Sequence, residues 1–103
     1  MREGRINVIV VRADATGKLD LRMAGDAGEP HGAVRCTSYL SFSTPDQKVP
    51  PRPTDHLLCW RSSPTLSVTA LALGGSHSAG DVVPGVQAVW DGVLAADAAG
   101  AAG

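Results

Sequence analysis

The sequence predicts a small α+β domain: an antiparallel sheet of about five strands, with one C-terminal amphipathic helix packed on one face. Three observations predict it. Apolar residues alternate with the two-residue period of strands in stretches as far as Leu73. From Val82 onward the period changes to that of a helix. The chain's 103 residues supply one core and no more. The expected organisation is a single domain over 1–95 and an Ala/Gly-rich flexible tail over 96–103.

The elements follow in order. Ile6, Val8 and Val10 share one strand face, and Ile9 and Val11 the other, so this β-branched run reads as a well-covered strand. Asp14, Thr16 and Gly17 supply turn chemistry. Leu19, Leu21 and Met23 alternate with Lys18, Asp20 and Arg22, which predicts a second strand in hairpin with the first. Residues 24–32, rich in Gly, Asp and Pro, read as a loop. In the third strand Val34, Cys36, Leu40 and Phe42 are expected to point one way, and Arg35, Thr37, Tyr39 and Ser41 the other. Residues 44–54 hold Pro45, Pro50, Pro51 and Pro53, which argues against a central strand there. The fourth strand is expected over 56–61, a turn at Ser63-Pro64, and the fifth strand over 65–73.

The helix carries Val82, Val83, Val86, Val89, Trp90, Val93 and Leu94 on one stripe, with Asp81 as the expected N-cap and Pro84 in its first turn. Gly85 and Gly92 each cost about 1 kcal/mol relative to Ala. Such a helix forms by docking on the sheet.

Cys36 and Cys59 are the most informative pair. If the third and fourth strands form a hairpin centred between Gln47 and Lys48, these cysteines stand directly opposite each other. A disulfide there contributes roughly 3 kcal/mol in the chain-entropy model. The alternative is two buried reduced thiols. The bridge implies an extracellular or cell-envelope location, and its absence a cytoplasmic one.

Several function classes are disfavoured. The net charge of -1, with arginines scattered singly, gives no attraction to nucleic acid. No apolar run suits a transmembrane segment. No secretory signal is read at the N-terminus, so an exported protein is expected to appear here as a mature fragment with an added Met1. His31, His56 and His77 fall in separate elements and the cysteine spacing is not a zinc pattern, so no metal or other cofactor is expected. No catalytic constellation is found. His56 and Cys59 are expected on opposite faces of one strand.

Three functional readings follow, in order of preference. The first is a non-catalytic extracytoplasmic binding domain held by the Cys36–Cys59 disulfide. Its protein partner is of unassigned identity and meets the face of Arg35, Thr37 and Tyr39 or the Pro-rich loop. The second is a small intracellular accessory or oligomeric subunit with reduced cysteines; oligomeric state is left unassigned. The third is a ligand carrier or small enzyme using Ser76, His77 and Ser78 in the Gly/Ser loop 74–80, where backbone N–H groups at the helix start suit an anion.

Overall fold

The computed structural model describes residues 5–14, 24–41, 46–74 and 78–102. Five strands form one antiparallel sheet: β1 (Arg5–Val11), β2 (Glu29–His31), β3 (Val34–Leu40), β4 (Arg52–Ser62) and β5 (Ser67–Leu73). Their spatial order is β1-β5-β4-β3-β2. A single helix, α1 (Ala79–Ala102), packs against β3, β4 and β5. The architecture is α+β.

The main core lies between the sheet and α1. Val34, Cys36, Leu57, Cys59, Val68, Ala70 and Ala72 from the sheet meet Val82, Val86 and Trp90 of the helix. The sheet contributes small residues under the helix, which lets a valine-rich stripe approach closely. A smaller cluster of Leu40, Leu58 and Leu71 lies apart, with Val11, Ala24, Trp60 and Leu73 packed against it.

β4 and β5 join through a tight turn. Ser63 N–H donates to the Leu66 carbonyl at 2.7 Å, and Ser63 Oγ accepts the N–H groups of Thr65 (3.3 Å) and Leu66 (3.0 Å). Pro64 supplies the preset φ of such a turn. β2 and β3 join through Gly32, whose φ of 67° is a left-handed conformation that glycine adopts without a Cβ clash.

Several expectations need revision. β1 pairs with β5, a long-range pairing invisible to local patterning; the strand expected over 19–23 lies outside the described residues. The segment read as the loop 24–32 contains β2. Leu40 belongs with Leu58 and not with Cys36, because the β3–β4 register shifts between Thr37 and Tyr39. There Ser38 stands against residues 54–57, so the alternation beyond it starts anew. Pro53 does lie within β4, a central strand. It is tolerated because β5 accompanies β4 only from Leu57 to Ser62, so at Pro53 the strand is an edge on that side.

The helix also begins earlier than expected, and Ser78 is its N-cap in place of Asp81. Asp81 sits at the third helical position, where its carboxylate accepts the Ser78 N–H at 3.0 Å. That is the returning half of a capping box. Pro84 consequently falls beyond the first turn, where it removes one helical hydrogen bond.

Candidate functional site

Cys36 and Cys59 are neighbours in the β3–β4 ladder and form a disulfide with Cα atoms 4.0 Å apart. That is the closer, non-hydrogen-bonded kind of antiparallel pair. Both are buried on the helix side of the sheet. The bridge closes a loop whose ends are 23 residues apart, which limits the unfolded chain by about 3 kcal/mol in the entropic model.

Beside the disulfide lies an open groove of about 450 Å³, lined among others by Asp26, Glu29, His31, Ser38, Tyr39, Pro53 and Ala79. Three elements build it. β2 supplies Glu29 and His31, two residues apart and therefore on the same side of the strand. The β3–β4 irregularity supplies Ser38, Tyr39 and Pro53. The first turn of α1 supplies Ala79. His31 Nε2 and Glu29 Oε1 are 3.4 Å apart. Asp26 Oδ1 accepts the Gly28 N–H at 2.9 Å, a local turn that shapes the approach to β2.

The irregularity is held by side chains. Thr54 Oγ1 donates to the Ser38 carbonyl at 2.9 Å and accepts the His56 N–H at 3.2 Å. His56 Nδ1 accepts the Gly74 N–H at 2.7 Å, which ties β4 to the end of β5. That acceptor role requires Nδ1 to be unprotonated. His56 is thereby occupied with structure, tying β4 to the end of β5.

A second polar arrangement lies under the helix. The Arg61 guanidinium sits 4.2 Å from the ring centroid of Trp90 and donates to Gln87 Oε1 at 3.0 Å. Trp90 is buried, and among the described residues its Nε1 has no hydrogen-bond partner. Cation–π contact and packing hold this ring in place.

No family model, curated protein or solved structure matches this chain. The geometry of the chain's own residues is therefore what a functional reading rests on.

The residues singled out from sequence separate into groups. Cys36 and Cys59 come together. Arg35 Nη1 spans to the carbonyls of Ala27 (3.3 Å) and Gly28 (3.2 Å), so it braces the entry to β2. Thr37 is buried, its Oγ1 accepts the Tyr39 N–H at 3.0 Å, and it lines the groove. Tyr39 is exposed and lines the groove. Ser76 and His77 lie outside the described residues, and Ser78 caps the helix. Among the described residues, no three His, Cys, Asp or Glu side chains lie close enough to share a metal ion. No helix among them is long and apolar enough to cross a membrane.

Sequence reasoning missed Asp26, Glu29 and His31 as members of one groove. The signal was the run Glu29-Pro30-His31 followed by Gly32-Ala33 and the apolar Val34. A polar strand and a two-residue glycine turn ahead of a known strand read as a hairpin.

Proposed function

We propose that this chain is a non-catalytic binding domain that works outside the reducing cytosol, with the groove between β2 and the start of α1 as its binding surface. The observation that carries this reading is the Cys36–Cys59 bridge between two buried, paired strands. Structural disulfides persist in oxidising compartments and are rare in the cytosol. The groove adds support, because its rim combines an exposed tyrosine with carboxylates and a histidine beside a covalently fixed wall. Tyrosine on a rigid support is a favoured contact residue for protein partners.

The test is thiol alkylation of the natively isolated protein, read by intact mass after mild unfolding. Labelling of both cysteines only after reduction supports the reading. Labelling of both without reduction removes the bridge and with it the extracytoplasmic location, and the accessory-subunit reading takes its place.

A further inference from the structure

We propose that the outer edge of β1, which no described strand covers, docks a second copy of this chain, β1 against β1, antiparallel about Val8. Neither the compartment nor the groove enters into this. In an antiparallel ladder, a residue directs its N–H and C=O toward one neighbouring strand only, and successive residues alternate. Cys36 and Cys59, with Cα atoms 4.0 Å apart, are a non-bonded pair. Cys59 therefore bonds to Ala70 across β5. The 2.7 Å bond from Ser63 to Leu66 keeps the same phase. Ala70 then turns its polar groups away from its β1 partner Val8, and Val8 directs its own to the outer edge. Ile6 and Val10 share that phase. Among the described residues, nothing pairs with these outward groups.

The side chains agree. Ile6, Val8 and Val10 lie opposite Ala72, Ala70 and Val68, all core residues on the helix side of the sheet. Yet the three are 45%, 47% and 42% exposed, since α1 lies over β3, β4 and β5. Exposed β-branched side chains along a seven-residue edge that no described strand covers form a template for another strand.

A second copy fits this template for a geometric reason. Antiparallel pairing about Val8 sets Val8 against Val8 and Ile6 against Val10, all of them bonding positions. Side chains directly opposite lie on one face. The two apolar stripes become one, between two helices on the same side of a continuous sheet. No charged residue lies between Ile6 and Val11, so no like charges are opposed. Such a twofold contact closes on itself and stops at the dimer. A seven-residue strand is about 23 Å long, and pairing along it covers less than the roughly 800 Å² per partner of a standard interface. The dimer is therefore weak and reversible.

The experiment is sedimentation velocity of the intact protein across a wide concentration range, on the wild type and on Val8→Lys and Ile6→Lys. The wild type is expected to shift reversibly from monomer to dimer. Each lysine variant, its fold checked by circular dichroism, is expected to raise the dissociation constant about tenfold or more, Val8→Lys by setting two charges directly opposite each other and Ile6→Lys by setting a charge against Val10 in the apolar stripe. A wild type that stays monomeric throughout overturns the proposal, as does a folded Val8→Lys that dimerises like the wild type. If the variants fail to fold, hydrogen exchange on the wild type decides. Slowing of the Ile6, Val8 and Val10 amides with concentration supports the contact, and exchange independent of concentration overturns it. A foreign extended peptide that protects these amides in a protein that never self-associates overturns the second copy as occupant.

Discussion

The two edges of the sheet are guarded in opposite ways. β2 is three residues long and carries Glu29 and His31. The ladder phase points both of those residues inward to β3, so Pro30 is the one that faces out, and proline has no N–H to offer. Charge, brevity and a missing donor together close that edge. β1 is seven residues long, uncharged from Ile6 to Val11, and presents its donors outward. Among the described residues, the Arg12–Asp97 ion pair just past Val11 ties the end of β1 to the helix. The difference teaches that edge protection here is selective. Among the described residues, the edge beside the disulfide and groove carries these protections and the β1 edge carries none of them.

The largest expected contrast is between the covered middle of the sheet and its open edge. Trp90→Ala removes a buried ring from beneath α1 and should cost about 3–5 kcal/mol in denaturant unfolding. Val8→Ala removes methyl groups already half in water and should cost far less. Similar losses at the two sites would mean that β1 is covered in solution by something other than a weak dimer. Next comes the bridge itself. Replacing Cys36 and Cys59 together by Ala should lower stability by about 3 kcal/mol while leaving the dimer affinity unchanged, since β3–β4 is remote from β1. A parallel loss of dimerisation would show the two regions to be coupled.

Gly28→Ala tests the closed edge alone. Gly28 has a φ of 78°, and an added Cβ would approach Trp60 to 2.8 Å. The left-handed backbone and the contact together should cost about 1–2 kcal/mol, read as a lower midpoint with an unchanged slope. An unchanged midpoint would mean that the approach to β2 relaxes freely and that Arg35 does not fix it.

What was legible in the sequence follows the range of the interactions. The helix stripe could be read because Val82, Val86 and Trp90 recur at helical spacing and all three are buried. The register that sets Cys36 opposite Cys59 was reached from an assumed hairpin centre between Gln47 and Lys48, whereas the pairs nearest the loop, Tyr39–Pro53 and Leu40–Arg52, keep a different register and the shift between Thr37 and Tyr39 brings the cysteines opposite each other. Leu40 could not be placed, since the register shift ahead of it depends on Thr54 reaching Ser38 across the ladder. The β1–β5 pairing was equally hidden, because nothing local to Ile6 names Ala72 as its partner. The groove was missed for both reasons. β2 is too short to show a period, and its neighbours in the groove come from three separate segments.

The smallest expected effect concerns the one described ion pair that ties β1 to the helix. Arg12 Nη1 donates to both carboxylate oxygens of Asp97, and the two side chains are 63% and 48% exposed. Exposed pairs typically contribute 0.2–1 kcal/mol, and salt screens them. Asp97→Asn should therefore cost at most about 1 kcal/mol at low salt, with the difference from wild type vanishing at about 1 M salt. A cost that persisted at high salt would not be Coulombic. It would show that Asp97 positions α1 over the sheet, and the exposure of Ile6, Val8 and Val10 would then depend on where that helix end is held. Because the hydrophobic contact of two β1 edges is not screened, dimer affinity should persist across the same salt range. The two measurements thus separate what holds β1 to its own helix from what would hold it to another copy.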